Sequence, residues 1–571
     1  MSQTSQSFMS RWTPAEVMLA ILFLVAPLYY HPNLGGEGLR IPNNATIWIV
    51  AVIFIAYSLN KVIKSALFQL PRYFIYIAAF PFLVILSGFL AGVEQPLQWL
   101  FRVLFILGGF AFFFSLFQHN FRQGRWDRLL LIIALSGLIH AGIGLLQIWL
   151  QADMPYLLPK SPEGLPSGLF QQINNQATYL VTCIALAFYL ASRPILFKRR
   201  RLLQSLIVVT VLAASFIVGF SGSRIGFLSL AVALPMLLYV RRKQLSSNKT
   251  LSVILLAALL VGFASGLMPS GGKAIEKTAA MQSGYSGSAR LGIYDISLGL
   301  LKEEPLFGHG IGSFPSVFQH ARPGFYAEHP EAKLPKEMVS HPHNEALQWL
   351  VEGGVTAVLG IGLAAVGVTL ALYGVGVSRG TAYLMLMMPI ILHNQVELPL
   401  YMSSLHWLLL STLIALSFAF RLRRQANSMT VYAHKLSAIS ILLVSSILIL
   451  FLLHTVRANW DFVDFYQGKQ SHNPLVIAKQ NPYLSEQAQW IDMSAMMYSS
   501  MQYGLRDNVQ YFTEWGQRLL EQRPDVDLYI KLTDAFEYLG DKERYCKTAM
   551  QGSQIYPQSE RLGRAVTFCH N

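Results

Sequence analysis

Three arginines and one histidine-rich segment are the residues best suited to chemistry in this chain. Arg102, Arg224 and Arg290 stand in or beside apolar runs. A guanidinium presents a planar fork of donors that matches phosphate oxygens and keeps its proton at any physiological pH, so arginines in such places suit a diphosphate. His341-Pro342-His343-Asn344-Glu345 is the second feature. A neutral imidazole at an aqueous membrane face can take a proton from a hydroxyl near pH 7. Asn344, Gln348 and Glu352 follow at intervals of four and would form one polar stripe on a helix. Asn174, Asn175 and His309 complete the set of candidate site-lining residues. Each has a plainer reading. Arg102 could form a buried ion pair or snorkel to the interface. Arg224, in Ser-Gly-Ser-Arg, could simply start a helix, and Arg290 could belong to an amphipathic loop helix. The histidines could cap a helix. A metal role is disfavoured, because no carboxylate or Cys stands at a spacing that would complete a zinc site. The single Asp-x-Asp, Asp525 and Asp527, reads as a helix start. His393 and His406 read as packing or hydrogen-bonding residues.

The elements that must position these groups follow from composition. Only 13% of the 571 residues are charged and 53% are hydrophobic, whereas a soluble chain carries about 25% charged residues. The formal net charge of +14 would suggest nucleic acid in a soluble protein, but here the basic residues sit in short clusters between apolar runs and read as membrane topology. A bilayer core asks for about 20 apolar residues per helix. Candidate spans fall near 16–31, 45–60, 72–92, 97–118, 129–150, 174–192, 202–220, 223–240, 250–268, 345–373, 382–398, 403–420 and 433–455. The expectation is an all-α polytopic membrane protein with about thirteen transmembrane helices and no cleavable signal peptide. The expected domains are a transmembrane domain, 1–455, and a soluble helical domain, 456–571.

Lys and Arg mark alternate connections: Lys61, Lys64 and Arg72; Arg122, Arg125 and Arg128; Arg193 and Lys198 to Arg201; Arg241 to Lys243 and Lys249; Arg379; and Arg421, Arg423 and Arg424. The positive-inside rule assigns these to the cytoplasm. The N-terminus is then inside, and the 268–344 loop and the tail lie outside, in the periplasm of an inner-membrane protein. On this topology the candidate site residues come from six places in sequence and fall at the same outer depth. Random scatter would put about half at the other end, and polar groups inside a membrane default to function. The tail contains one stretch, Leu528 to Pro557, resembling a tetratricopeptide unit, the plainer reading being a small helical cap. In an oxidising compartment a Cys546–Cys569 disulfide is expected across the turn at Pro557, the alternative being two buried thiols. Cys183, in an apolar run, should stay reduced.

These residues also carry a family resemblance. Gln172-Ile173-Asn174-Asn175-Gln176-Ala177, Ser223-Arg224, Arg290 to Tyr294, Pro305 to Phe314, and His341 to Asn344 followed by Gly353-Gly354 occur in that order. Together they resemble the O-antigen ligase/polymerase superfamily of periplasmic glycan transferases, and most of all its PglL-type O-oligosaccharyltransferase branch. Ile173 stands where that branch has proline, and Tyr294 where it often has Trp. The resemblance implies transfer of a glycan en bloc from undecaprenyl diphosphate without metal or other cofactor. Arg102, Arg224 and Arg290 would hold the diphosphate. His343 would deprotonate or orient the acceptor hydroxyl, a Ser or Thr of pilin or another exported protein. Ligation to lipid A-core, or O-antigen polymerisation, is the alternative. A non-enzymatic lipid or solute transporter would place polar residues at the midplane and show paired halves, and neither pattern is clear here.

Overall fold

The computed structural model describes residues 12–161, 163–196, 200–268, 286–426, 431–469 and 473–570. Lys198, Arg199 and the start of the expected outer loop, 269–285, lie outside the described residues. The chain is an all-α polytopic membrane protein. A helix stands at each place where the sequence predicts a span. Eight are long and apolar enough to cross a membrane, while Pro14–Leu28, Phe74–Leu90 and Ser404–Phe418 are apolar but shorter. Two further helices, Ile173–Ala191 and Val377–His393, occupy the remaining places. The first opens on the amides Asn174, Asn175 and Gln176, which lower its hydropathy, and every residue from Asn175 to Ala191 is buried. It is a core helix surrounded by others rather than one facing lipid.

The chain divides into two compact units. One comprises Met1–Pro81, Leu104–Lys277 and Ile361–Val463; the other comprises Phe82–Val103, Thr278–Gly360 and Asp464–Asn571. In the first, the Ile173–Ala191 helix packs with Gln123–Leu150, Arg201–Ser221, Arg224–Ser246 and Val377–His393. The strands among the described residues, β1 (Leu67–Pro71) and β2 (Leu422–Ala426), pair antiparallel from Leu67↔Ala426 to Pro71↔Leu422.

The second unit is organised by a break in the Glu345–Gly374 helix. Gly354 adopts φ 61°, ψ −164°, a region essentially closed to residues with a Cβ. In an unbroken helix the Val355 and Thr356 amides would meet the Val351 and Glu352 carbonyls. Here the segment 305–310 takes all four groups. His309 N donates to Val351 O at 2.9 Å and Gly310 N to Glu352 O at 3.0 Å, while Val355 N donates to Pro305 O at 2.9 Å and Thr356 N to Leu306 O at 3.2 Å. The approach is so close that a Cβ on Gly308 would lie 2.5 Å from Val351 O, and one on Gly354 would lie 2.5 Å from the Leu306 carbonyl. Gly308 and Gly354 are therefore both explained by one backbone-to-backbone junction.

The tail continues the same unit. Ser485–Tyr503, Arg506–Gln522, Val526–Leu539, Lys542–Ile555 and Glu560–His570 follow one another as short helices. They enclose Met497, Val509, Phe512, Leu528, Leu532, Phe536 and Ala549. Asp525 caps Val526–Leu539 by accepting from Asp527 N, so the Asp-x-Asp is a helix start. Tyr556 Oη donates to Pro524 O at 2.7 Å, and the Arg322 guanidinium of the Phe314–Glu328 helix lies 4.6 Å from the Tyr556 ring centre. Cys546 and Cys569 form a disulfide with Cα atoms 5.6 Å apart, and Cys183 is a buried free thiol.

Two outcomes follow from these junctions. Gly354→Ala should lower stability by about 2 kcal/mol or more, read as a lower thermal transition of the purified protein. Gly362→Ala, where an added Cβ meets nothing within 4 Å, should change it by no more than about 1 kcal/mol. Thiol counting by mass on unreduced, denatured protein should find one reactive cysteine. Serine in place of Cys546 and Cys569 should cost about 3 kcal/mol for a loop of this size.

Candidate functional site

In the first unit, the polar residues gather around the start of the Ile173–Ala191 helix. Gln172 caps it, its side chain accepting from Asn175 N at 2.6 Å. Asn174 Oδ1 accepts from Ser223 Oγ at 2.8 Å, and Ser223 in turn caps Arg224–Ser246 by accepting from Gly226 N at 3.1 Å. Arg224 is thus the first residue of a helix, exposed, beside a cap that Asn174 holds. The plainer reading of Arg224 as a helix start is what is observed, and its exposure leaves the guanidinium accessible to solvent.

Glu397, which the motif reading passed over, is the hub of this cluster. Its carboxylate accepts from Asn174 Nδ2 at 2.9 Å and Gln172 Nε2 at 2.7 Å, and His393 Nε2 lies 3.0 Å away. His393 Nδ1 meets Thr178 Oγ1 at 3.0 Å. His406 Nδ1 meets Ser403 Oγ at 2.9 Å. Both histidines are hydrogen-bonding residues of the core, as expected. The signal for Glu397 was present in sequence: it stands four residues after His393 as an isolated acid, with none between Gly353 and Val396 or between Leu398 and Trp460.

In the second unit, the expected polar stripe exists and has a definite end. Gln348 Nε2 donates to Glu352 Oε1 at 2.6 Å. Glu352 Oε1 also accepts from Phe314 N at 3.4 Å. Its other oxygen pairs with Arg102, and both side chains are buried. Arg102 is therefore in a buried ion pair, one of its alternatives in sequence. Burial of this carboxylate is tolerated because two donors and a counter-charge converge on it.

His343 precedes the helix rather than opening it. Its φ is 56°, in the left-handed region that a β-substituted residue enters at a cost. The turn is held on both sides. His343 N donates to His341 Nδ1 at 3.2 Å, and the two rings meet edge to face with centroids 4.5 Å apart. Asn344 Oδ1 accepts from Leu347 N at 3.0 Å and so caps the helix. His309 is fixed through its backbone to the helix break, and its Nε2 lies 3.0 Å from Leu300 O. Arg290 is half-buried on the Ser286–Glu303 helix and makes no ion pair among the described residues. Sequence-predicted residues thus fall into two groups: Asn174, Asn175 and Arg224 in the first unit, and Arg102, Arg290, His309, His341, His343 and Asn344 in the second. Among the described residues no three His, Cys, Asp or Glu side chains gather as a metal set.

Such a chain is a multi-pass membrane protein whose polar side chains are concentrated at helix starts and at one helix break. Residues 209–362 match the family described as O-Antigen ligase, and residues 381–567 match that described as Virulence factor membrane-bound polymerase, C-terminal. No curated protein matches the chain. The chain belongs to the O-antigen ligase/polymerase superfamily, a family of membrane glycosyl transfer. The first match contains Arg224, Arg290, His343 and the glycine pair; the second contains Glu397 and almost all of the tail.

The Arg102–Glu352 pair separates folding from ligand binding. Arg102→Met should cost about 3–5 kcal/mol, because a buried carboxylate loses its counter-charge. The expected result is a poorly monodisperse protein in detergent. Adding Glu352→Gln should restore most of the lost monodispersity. Full stability of R102M alone would contradict the structural role.

Proposed function

We propose that this protein transfers a glycan en bloc from undecaprenyl diphosphate to a Ser or Thr hydroxyl of pilin or another exported protein, on the periplasmic face of the inner membrane and without a metal ion. The acceptor oxygen attacks the anomeric carbon as the bond to the diphosphate breaks. His343 takes the hydroxyl proton, and the undecaprenyl diphosphate leaves with its charge neutralised by Arg224 and Arg290. Electrostatic stabilisation by fixed cations does this work. Arg102 acts on the same group while it holds Glu352.

The observation that carries the reading is His343. It occupies a costly left-handed backbone, held by His341 on one side and by the Asn344 cap on the other. Strain that the surroundings over-determine is a recurrent mark of functional residues. The Cys546–Cys569 disulfide supports an oxidising compartment for the tail. The tail itself supports a protein acceptor, because it offers a folded surface beyond the last long apolar helix. The family descriptions favour a second reading, ligation to a lipid A-core sugar or polymerisation of O-antigen.

Reconstitution in liposomes with lipid-linked glycan, offered pilin in one arm and lipid A-core in the other, decides between them. Transfer to pilin is expected, insensitive to EDTA. His343→Ala should reduce the rate at least about 100-fold with unchanged abundance. His320→Ala, at an exposed ring bonded to its own helix, should be silent. Transfer to lipid A-core alone would establish the second reading, and EDTA inhibition reversed by Mg²⁺ or Mn²⁺ would overturn the metal-free mechanism.

A further inference from the structure

The first unit carries a second cationic feature that the transfer reaction does not use. At one end of its helices, β1 and β2 pair as a short ribbon, and Arg72 N donates to Arg421 O at 3.1 Å just beyond the last register pair. These two arginines line one crevice with Tyr73, Ala371, Gly374, Val375, Ser417 and Phe418. Gly374 leaves space beside the charge: a Cβ there would lie 3.5 Å from Arg421 Cζ. Arg72 and Arg421 are both exposed and form no ion pair among the described residues. No acid is available nearby in sequence either. The stretches 38–93, 353–396 and 398–460, which build the ribbon and the whole crevice, contain no Asp or Glu.

The walls are amphipathic in the right order. Ala371, Val375 and Phe418 form an apolar side, and the large side chains at the same helix ends, Tyr373 and Val377, are 79% and 73% exposed. The Tyr73 ring stands under Arg72, its centre 5.3 Å from Cζ. Aromatic rings of this kind sit at the headgroup level of a bilayer. Two guanidinium forks above an apolar wall match a phosphodiester carrying acyl chains.

We propose that this crevice binds the headgroup phosphate of an anionic phospholipid through Arg72 and Arg421. On the orientation proposed above, the lipid belongs to the cytoplasmic leaflet. A purely topological role for the arginines requires positive charge but neither the fork nor the crevice, and this difference makes the proposal testable. Purified full-length protein in detergent is supplied with phosphatidylglycerol or phosphatidylcholine, stripped stepwise, and weighed intact by native mass spectrometry. Wild type should retain phosphatidylglycerol in preference to phosphatidylcholine. Arg72→Lys with Arg421→Lys keeps the charge and the topology but loses the bidentate geometry. The preference should fall about tenfold or more, the scale of one charge-assisted hydrogen bond. Arg421→Lys alone should show part of the same loss if the double variant does not fold. Arg423→Lys with Arg424→Lys, on the exposed ribbon outside the crevice, should behave as wild type. Unchanged preference in the Arg72 and Arg421 variants would overturn the proposal in favour of diffuse charge. Displacement of the lipid by millimolar sn-glycerol 1-phosphate would overturn it in favour of a soluble phosphate ligand.

Discussion

A backbone amide or carbonyl left without a partner inside a membrane protein costs several kcal/mol, and the Glu345–Gly374 helix stops satisfying its own at Gly354. The neighbouring segments of the second unit are arranged to satisfy those groups. The segment 305–310 supplies two amides and two carbonyls to the opened turn, and this fixes His309 against the helix. The same turn presents the Glu352 side chain to Arg102, Gln348 and Phe314 N. Two turns earlier the helix begins at the Asn344 cap, which sets His343 in place. A helix running unbroken through this point would need neither the glycines nor the loop, and the polar stripe would have no fixed terminus.

The cations sort by what faces them. Arg102 has Glu352, Arg128 has Glu16 at 2.7 Å, and Arg193 has Asp127 at 3.2 Å, all with largely buried side chains. These pairs hold helices together, and breaking one leaves an uncompensated charge. Arg322 is also buried but donates to neutral groups, Gln319 Oε1, Tyr326 Oη and Pro335 O, beside the Tyr556 ring. Arg224 is exposed at a helix start, and Arg290 is half-buried and makes no ion pair among the described residues.

Much of this was legible before any coordinates. Apolar length located a helix at every expected place, because in lipid only the helix satisfies the backbone of such a run. The interval of four from Asn344 to Glu352 gave the polar stripe, and the turn at Pro557 gave the disulfide. What stayed hidden depends on contacts distant in sequence. Nothing local distinguishes Arg102 as an ion pair from Arg224 as an exposed cation, since the distinction rests on a carboxylate 250 residues away. Glu397 was missed because its partners Gln172 and Asn174 stand 225 and 223 residues earlier in the chain. The left-handed backbone of His343 stayed hidden because such a residue before a cap leaves the local pattern of residue types unchanged.

The Arg102–Glu352 pair also has a meaning in time. The two residues are 250 positions apart, so at a synthesis rate of about 5–20 residues per second Arg102 is made on the order of 10–50 seconds before its carboxylate. During that interval the Pro96–Phe117 segment must enter the bilayer before Glu352 exists to face its guanidinium, and its mean hydropathy of 2.2 is what makes entry favourable. Arg102 lies near the segment's start, where its side chain can reach headgroups while it waits. Emergence of Glu352 then ends the wait and draws the two segments together. The order of manufacture thus makes this pair a late checkpoint of assembly, closed only after most of the membrane-embedded chain has been made.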